Sequence, residues 1–122
     1  MQEKQINHPH YQLSYCVYGK GTPVLLLHGY GEDSQIWNNQ IEYLSTHCLL
    51  IVPDLPGSGK SSITAKGKEE WLPNLRIESL AHSMNEILIA ENLAACILLG
   101  HSMGGYISLA FAELYPSKIL AL

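Results

Sequence analysis

A chain of 122 residues with a formal net charge of −4 is one domain or part of one, and it gives no electrostatic reason to expect nucleic acid or an anionic membrane as partner. Hydrophobic residues make up 47% and charged residues 15%, enough for a real core, since a compact chain of this size buries roughly two-thirds of its surface. The opening MQEKQINHPHYQ lacks a signal peptide's apolar stretch, no run approaches the roughly 18 apolar residues of a membrane span, and the three cysteines, Cys16, Cys48 and Cys96, are odd in number and scattered. Free thiols in a reducing compartment, and so a cytoplasmic location, are the expectation.

In chain order, residues 11–19 (YQLSYCVYG) predict a strand, followed by the turn residues GKGTP. The continuous β-rich run PVLLLHG (23–29) suits a strand buried on both faces. Residues 34–47 carry Trp37, Ile41 and Leu44 at helical spacing, with Ser34 as the expected N-cap and Asp33 favouring the helix's positive end. CLLIV (48–52) predicts a further buried strand, and residues 53–75, rich in Gly, Pro, Ser and Lys, a long loop. From 76 to 93, Ile77, Leu80, Ala81, Met84, Ile87 and Leu88 fall on one helical face. ACILLG (95–100) reads as a strand, 104–116 as a helix stopped by Pro116, and KILAL (118–122) as the start of another strand. Strands alternating with helices predict an α/β domain with a mostly parallel sheet flanked by helices.

The most informative stretch is LLGHSMGGY (98–106), where Gly100-His101-Ser102-Met103-Gly104 matches G-x-S-x-G between a predicted strand and a predicted helix. The glycines let strand and helix approach closely, while Ser102 sits on a sharp, strained turn. The helix start then aims N–H groups and positive dipole at a reacting carbonyl oxygen. A glycine-rich turn whose serine is only a cap is the plainer reading. His28-Gly29-Tyr30-Gly31 follows an inner strand, where a backbone N–H can supply the second half of an oxyanion hole. Ser102 is thus the candidate nucleophile, with Tyr30 and Met103 as the candidate backbone donors. His28 is expected to tie loop backbone together, and His101 to point away from Ser102. His8 and His10 lie in a polar segment, and no metal site is expected.

DLPGSGKSS (54–62) poses a competing possibility, because Gly59-Lys60-Ser61 fit the end of a phosphate-binding loop. Asp54 stands where that loop's first glycine belongs and would bring a carboxylate towards a phosphate. The following SITAKGKEEW is not a convincing amphipathic helix, so Lys60, Lys66 and Lys68 are expected on a solvated loop face.

Together HGYG, Trp37, VPDLPGSGKS and GHSMGGYISLAFAELYP, in this order and spacing, resemble the α/β-hydrolase fold superfamily from about residue 11 to 122. In that family the loop after the fourth strand reads much like Asp-Leu-Pro-Gly-x-Gly-x-Ser, with Lys60 at a variable place. The resemblance implies a serine hydrolase acting on a small-molecule acyl substrate, a carboxylic ester first, without cofactor or metal. It also implies a triad in the order Ser, acid, His. After Ser102 there is no histidine or aspartate, and Glu113 is the only acidic residue. The expectation is therefore the N-terminal part of one α/β-hydrolase domain over residues 1–122, cut after the nucleophile helix. Taken alone it would be inactive, and would self-associate or pair with its missing half. A non-catalytic relative used for binding, and more remotely a nucleotide-binding protein, are the alternatives.

Overall fold

A computed structural model describes residues 1–122. The strands are β1 (Gln2–Asn7), β2 (Tyr11–Tyr18), β3 (Pro23–Leu27), β4 (Leu49–Pro53), β5 (Ser62–Ile63), β6 (Cys96–Gly100) and β7 (Ile119–Ala121). The helices are α1 (Asn38–Leu44), α2 (Ala65–Glu70), α3 (Ile77–Ala90) and α4 (Met103–Leu114). The strands form one sheet in the order β1-β2-β4-β3-β6-β7, with β5 paired to β2. β4, β3, β6 and β7 run parallel, whereas β1, β2 and β5 add antiparallel pairings. The expected parallel sheet is thus the central and β7 part of a mixed one.

Side-chain alternation on β3 explains its unbroken apolar run. Leu25 and Leu27 face a core shared with Leu80, Met84, Ile87 and Leu88 of α3 and with Ile107 and Phe111 of α4. Leu26 faces the other way, joining Leu50 and Val52 of β4 beneath Trp37, Ile41 and Leu44. All three leucines of β3 are fully buried. At about 25 cal/mol per Å² of apolar surface, burial on both faces makes this strand the centre of the domain.

Several local expectations need correction. Residues 1–10 are not merely a polar segment, because β1 pairs with β2 along its length and half-buries Lys4 and Ile6 on one face. Ser34 is not the N-cap. Asp33 is, its carboxylate accepting from the Gln35 N–H at 2.9 Å, and the segment opens as a 3₁₀ turn over Ser34–Trp37 before α1. Residues 53–75 are not one loop, since they hold β5, α2 and a second 3₁₀ turn at Leu72–Asn74. Thr64 starts α2 by accepting from the Gly67 N–H at 2.9 Å. Gly67, which weakens the helix pattern in the sequence, is there because the helix lies against the backbone of residue 10. A Cβ on it would fall 1.8 Å from the His10 carbonyl oxygen.

No helix is long and apolar enough to cross a membrane. The contact at Gly67 predicts that Gly67→Ala lowers stability by about 1–3 kcal/mol, as overpacking against rigid backbone does, despite alanine's better helix propensity. Urea unfolding checks this, and an equal or raised midpoint would count against the close approach.

Candidate functional site

The site is assembled where β3 and β6 end side by side. Leu27 is the register partner of Gly100, and the His101 N–H donates to the Leu27 carbonyl at 2.9 Å. The two loops that carry the sequence motifs therefore leave the sheet together, at the carboxyl ends of parallel strands, where open α/β sheets bind ligands.

Ser102 occupies the turn between β6 and α4. It has φ 56° and ψ −119°, a left-handed conformation that side-chain-bearing residues rarely adopt, and it is exposed. Holding a residue there costs about 1–3 kcal/mol and persists only where the surroundings over-determine it. The surroundings do. A Cβ on Gly100 would lie 2.2 Å from the Gly104 carbonyl oxygen, and one on Gly104 would lie 2.3 Å from the Leu27 carbonyl oxygen. Strand, turn and helix start are therefore in backbone contact. Met103 is the first residue of α4, so its N–H has no acceptor within the helix. The Ser102 Oγ makes no hydrogen bond to any residue of the chain.

The second loop is a tight turn over Gly29-Tyr30-Gly31-Glu32, closed by the Glu32 N–H donating to the Gly29 carbonyl at 3.3 Å. Gly31, at φ 74°, supplies the left-handed residue the turn requires. The Tyr30 N–H bonds to nothing in the chain, and the residue is 87% exposed. This turn touches Ser102: a Cβ on Gly29 would be 3.0 Å from the Ser102 Cβ. Ser102, Met103 and Tyr30, the three residues singled out in the sequence, are thus brought together.

His28 is fully buried, and its Nδ1 lies 2.9 Å from the Gly29 carbonyl while its Nε2 accepts from the Leu55 N–H at 3.0 Å. An Nε2 that accepts places the proton on Nδ1, so the ring ties two loops together, as expected. His101 makes no hydrogen bond with Ser102. Its Nδ1 is 3.2 Å from Glu32 Oε1, and that same oxygen accepts from the Gly29 N–H at 2.7 Å. The Gly29 N–H, and then the His101 ring, hold the Glu32 carboxyl below its ordinary range. Sequence reasoning missed Glu32: it follows HGYG directly, yet its partner His101 is 69 positions away.

The stretch at 54–62 is not arranged to hold a phosphate. Asp54 is buried, and its carboxylate accepts from the Ser34 N–H at 2.8 Å and the Lys60 N–H at 3.0 Å. A Cβ on Gly59 would sit 2.5 Å from the Asp54 carboxyl carbon. The Lys60 ammonium is 2.7 Å from Glu3, and Ser61 donates to the Asp54 carbonyl at 2.6 Å while accepting from the Ser14 N–H at 2.8 Å. The Lys60 and Ser61 donors that a phosphate loop would offer are spent on the chain itself. α2 does exist, contrary to the expectation of no helix here, but β5 separates it from Ser61 and Thr64 caps it.

A cavity of about 510 Å³ is lined by Tyr30 and Met103 together with Leu55, Ile63, Leu72 and Leu75. A shallower recess of about 340 Å³ runs from Ser102 along Gly105, Tyr106 and Leu109 of α4. No three His, Cys, Asp or Glu side chains converge in a metal-binding arrangement.

The glycine contacts separate three superficially similar positions. Gly100→Ala and Gly104→Ala should each lose about 1–3 kcal/mol or more, because backbone faces backbone. Gly105→Ala should be neutral or stabilising, since its nearest new neighbour is 3.9 Å away. Denaturant unfolding of the three variants checks the ranking, and equal effects would contradict the turn described here.

Residues 22–122 match the family model described as alpha/beta hydrolase fold. The chain is 31% identical over 105 residues to the (E)-2-((N-methylformamido)methylene)succinate hydrolase of Acinetobacter baylyi, covering 86% of this chain and 37% of that protein. It is 36% identical over 99 residues to a 1-acylglycerol-3-phosphate O-acyltransferase of Rattus norvegicus, covering 80% of this chain and 27% of that one. Among solved structures, a thermophilic esterase from Thermogutta terrifontis superposes with a TM-score of 0.81 at 30% identity, over 98% of this chain and 43% of the esterase. The chain therefore spans well under half the length of these relatives. With the family model matched from the start of β3 to the last residue, and with the strained serine turn at its expected place, the chain belongs to the alpha/beta hydrolase fold family.

Proposed function

We propose that these residues carry the nucleophile and the oxyanion-binding N–H groups of a serine hydrolase that cleaves acyl compounds, a carboxylic ester first. One observation carries the reading: Ser102 is exposed in a left-handed turn at the N-terminus of α4, in contact with a second turn whose Tyr30 N–H is unbonded. A serine used only as a cap or for binding has no need of a conformation that costs about 1–3 kcal/mol, which argues against the non-catalytic alternative. The relatives named as hydrolase, esterase and acyltransferase fit a shared acyl-transfer step, with water or an alcohol taking the acyl group.

In this mechanism Ser102 Oγ attacks the acyl carbon as a general base removes its proton. The carbonyl electrons move onto oxygen, and the N–H groups of Tyr30 and Met103 stabilise that oxyanion, each donor being worth about 2.7–4 kcal/mol of barrier. Collapse expels the alcohol, which takes the proton back from the base, and water releases the acid from the acyl-enzyme. His28 is committed to Gly29 and Leu55, and His101 to Glu32, so neither is placed to be that base. A histidine oriented by an acidic residue, both from outside residues 1–122, completes the site in this reading. The apolar cavity beside Tyr30 and Met103 favours an apolar acyl group. Three unpaired cysteines support a reducing, cytoplasmic setting.

In the whole protein, a serine-directed fluorophosphonate should label Ser102, and Ser102→Ala should abolish labelling and lower kcat on p-nitrophenyl esters by on the order of 10⁴–10⁶-fold. Label mapped elsewhere, with Ser102→Ala fully active, would reject the assignment. Residues 1–122 alone should give no more than roughly 10³–10⁴-fold over water, since the base is missing. Turnover by that piece at ordinary enzyme rates would show that a base lies within it.

A further inference from the structure

Glu32 is the one charged group at the site that the mechanism leaves unused. Its Oε1 receives two bonds from different parts of the chain, the Gly29 N–H at 2.7 Å and the His101 ring nitrogen at 3.2 Å. Gly29 begins the turn that presents the Tyr30 N–H, and His101 immediately precedes Ser102. One carboxylate oxygen therefore bridges the two loops that must stay in register for an oxyanion to meet both donors.

The rest of the turn explains why such a bridge is needed. On its inner side the turn is fixed by buried His28, which reaches the Gly29 carbonyl and the Leu55 N–H. On its outer side nothing but Glu32 holds it: Tyr30 and Gly31 are exposed, and neither N–H bonds within the chain. Without the bridge, the Gly29 N–H loses its acceptor, and the remaining closure is the long 3.3 Å bond from the Glu32 N–H. A negative charge near a developing oxyanion is unfavourable by Coulomb's law. What the site gains from Glu32 is therefore its acceptor oxygen and its reach, not its charge.

We propose that Glu32 is a positioning residue that staples the Tyr30 turn to the nucleophile turn through His101, and so sets the spacing between the two oxyanion donors. The proposal rests on the serine-hydrolase reading of Ser102. It makes a distinction that a merely structural carboxylate would not. Glutamine keeps an oxygen at the same reach and removes the charge, whereas aspartate keeps the charge and is one methylene too short to reach the Gly29 N–H.

The test is steady-state kinetics on p-nitrophenyl esters with the whole protein carrying Glu32→Ala, Glu32→Asp, Glu32→Gln or His101→Ala, with fluorophosphonate labelling and melting temperature measured on the same preparations. Glu32→Ala and Glu32→Asp should lower kcat by about 10- to 100-fold with KM changed less than about threefold, as a misplaced oxyanion donor does. Glu32→Gln should recover most of that loss, and His101→Ala should fall several-fold, in between. Glu32→Ala retaining kcat within about twofold overturns the proposal. So does Glu32→Gln falling as far as Glu32→Asp, which would make charge the property that matters. If Glu32→Ala does not fold, the contrast between Gln and Asp decides alone. Absence of label at Ser102 in the unsubstituted protein would instead remove the serine-hydrolase reading itself, and the proposal with it.

Discussion

The backbone contact between β6 and α4 is the constraint on which the rest of the site depends. The strand's last residue and the helix's second meet so closely that neither can carry a Cβ: on Gly100 it would be 2.2 Å from a carbonyl oxygen, and on Gly104 2.3 Å from another. With both ends pinned, the three residues between them must reverse the chain, and Ser102 takes up the strain at φ 56°. The same contact sets α4 directly on the end of β3, because the atom opposing Gly104 is the Leu27 carbonyl oxygen. Sheet packing is thereby converted into the position of one hydroxyl and one free N–H.

That arrangement is stable only because each loop around it satisfies its own polar groups. Asp54, buried at the end of β4, accepts from the Ser34 and Lys60 N–H groups and so closes both the 54–62 loop and the entry to the first 3₁₀ turn. His28 links that loop to the Tyr30 turn through the Leu55 N–H. A buried polar group left unpaired costs about 1–3 kcal/mol, so these bonds are obligatory once the loops are packed. The N–H groups of Tyr30 and Met103 remain without acceptors, which is the property an anion-stabilising site requires.

Much of this was legible in the sequence, and the parts that were not share a cause. The three-leucine run of β3, the 3.6-residue spacing on α3 and the glycines around Ser102 are local patterns, and the two turns they lead to, carrying Tyr30 and Ser102-Met103, lie side by side. β1 was missed because only its Lys4 and Ile6 turn towards the protein, so its composition reads as polar loop. α2 was missed because Gly67 breaks the helix pattern, for a reason that lies in a contact with residue 10. Asp33 rather than Ser34 caps the first turn, a one-residue difference that side-chain reach decides and composition does not. Glu32 and the inward-facing carboxylate of Asp54 were invisible as partners, because their bonds to His101 and to the Ser34 N–H span the fold rather than the chain.

In the proposed function the Ser102 turn and the Tyr30 turn together hold a tetrahedral oxyanion. A crystal structure of the whole protein after reaction with an alkyl phosphonate tests it most directly, because the phosphonyl oxygen stands in for that oxyanion. The expected adduct has phosphorus bonded to Ser102 Oγ, with the phosphonyl oxygen about 2.7–3.1 Å from both the Tyr30 and Met103 nitrogens. An adduct on another residue, or one on Ser102 whose oxygen turns away from both nitrogens, would contradict it.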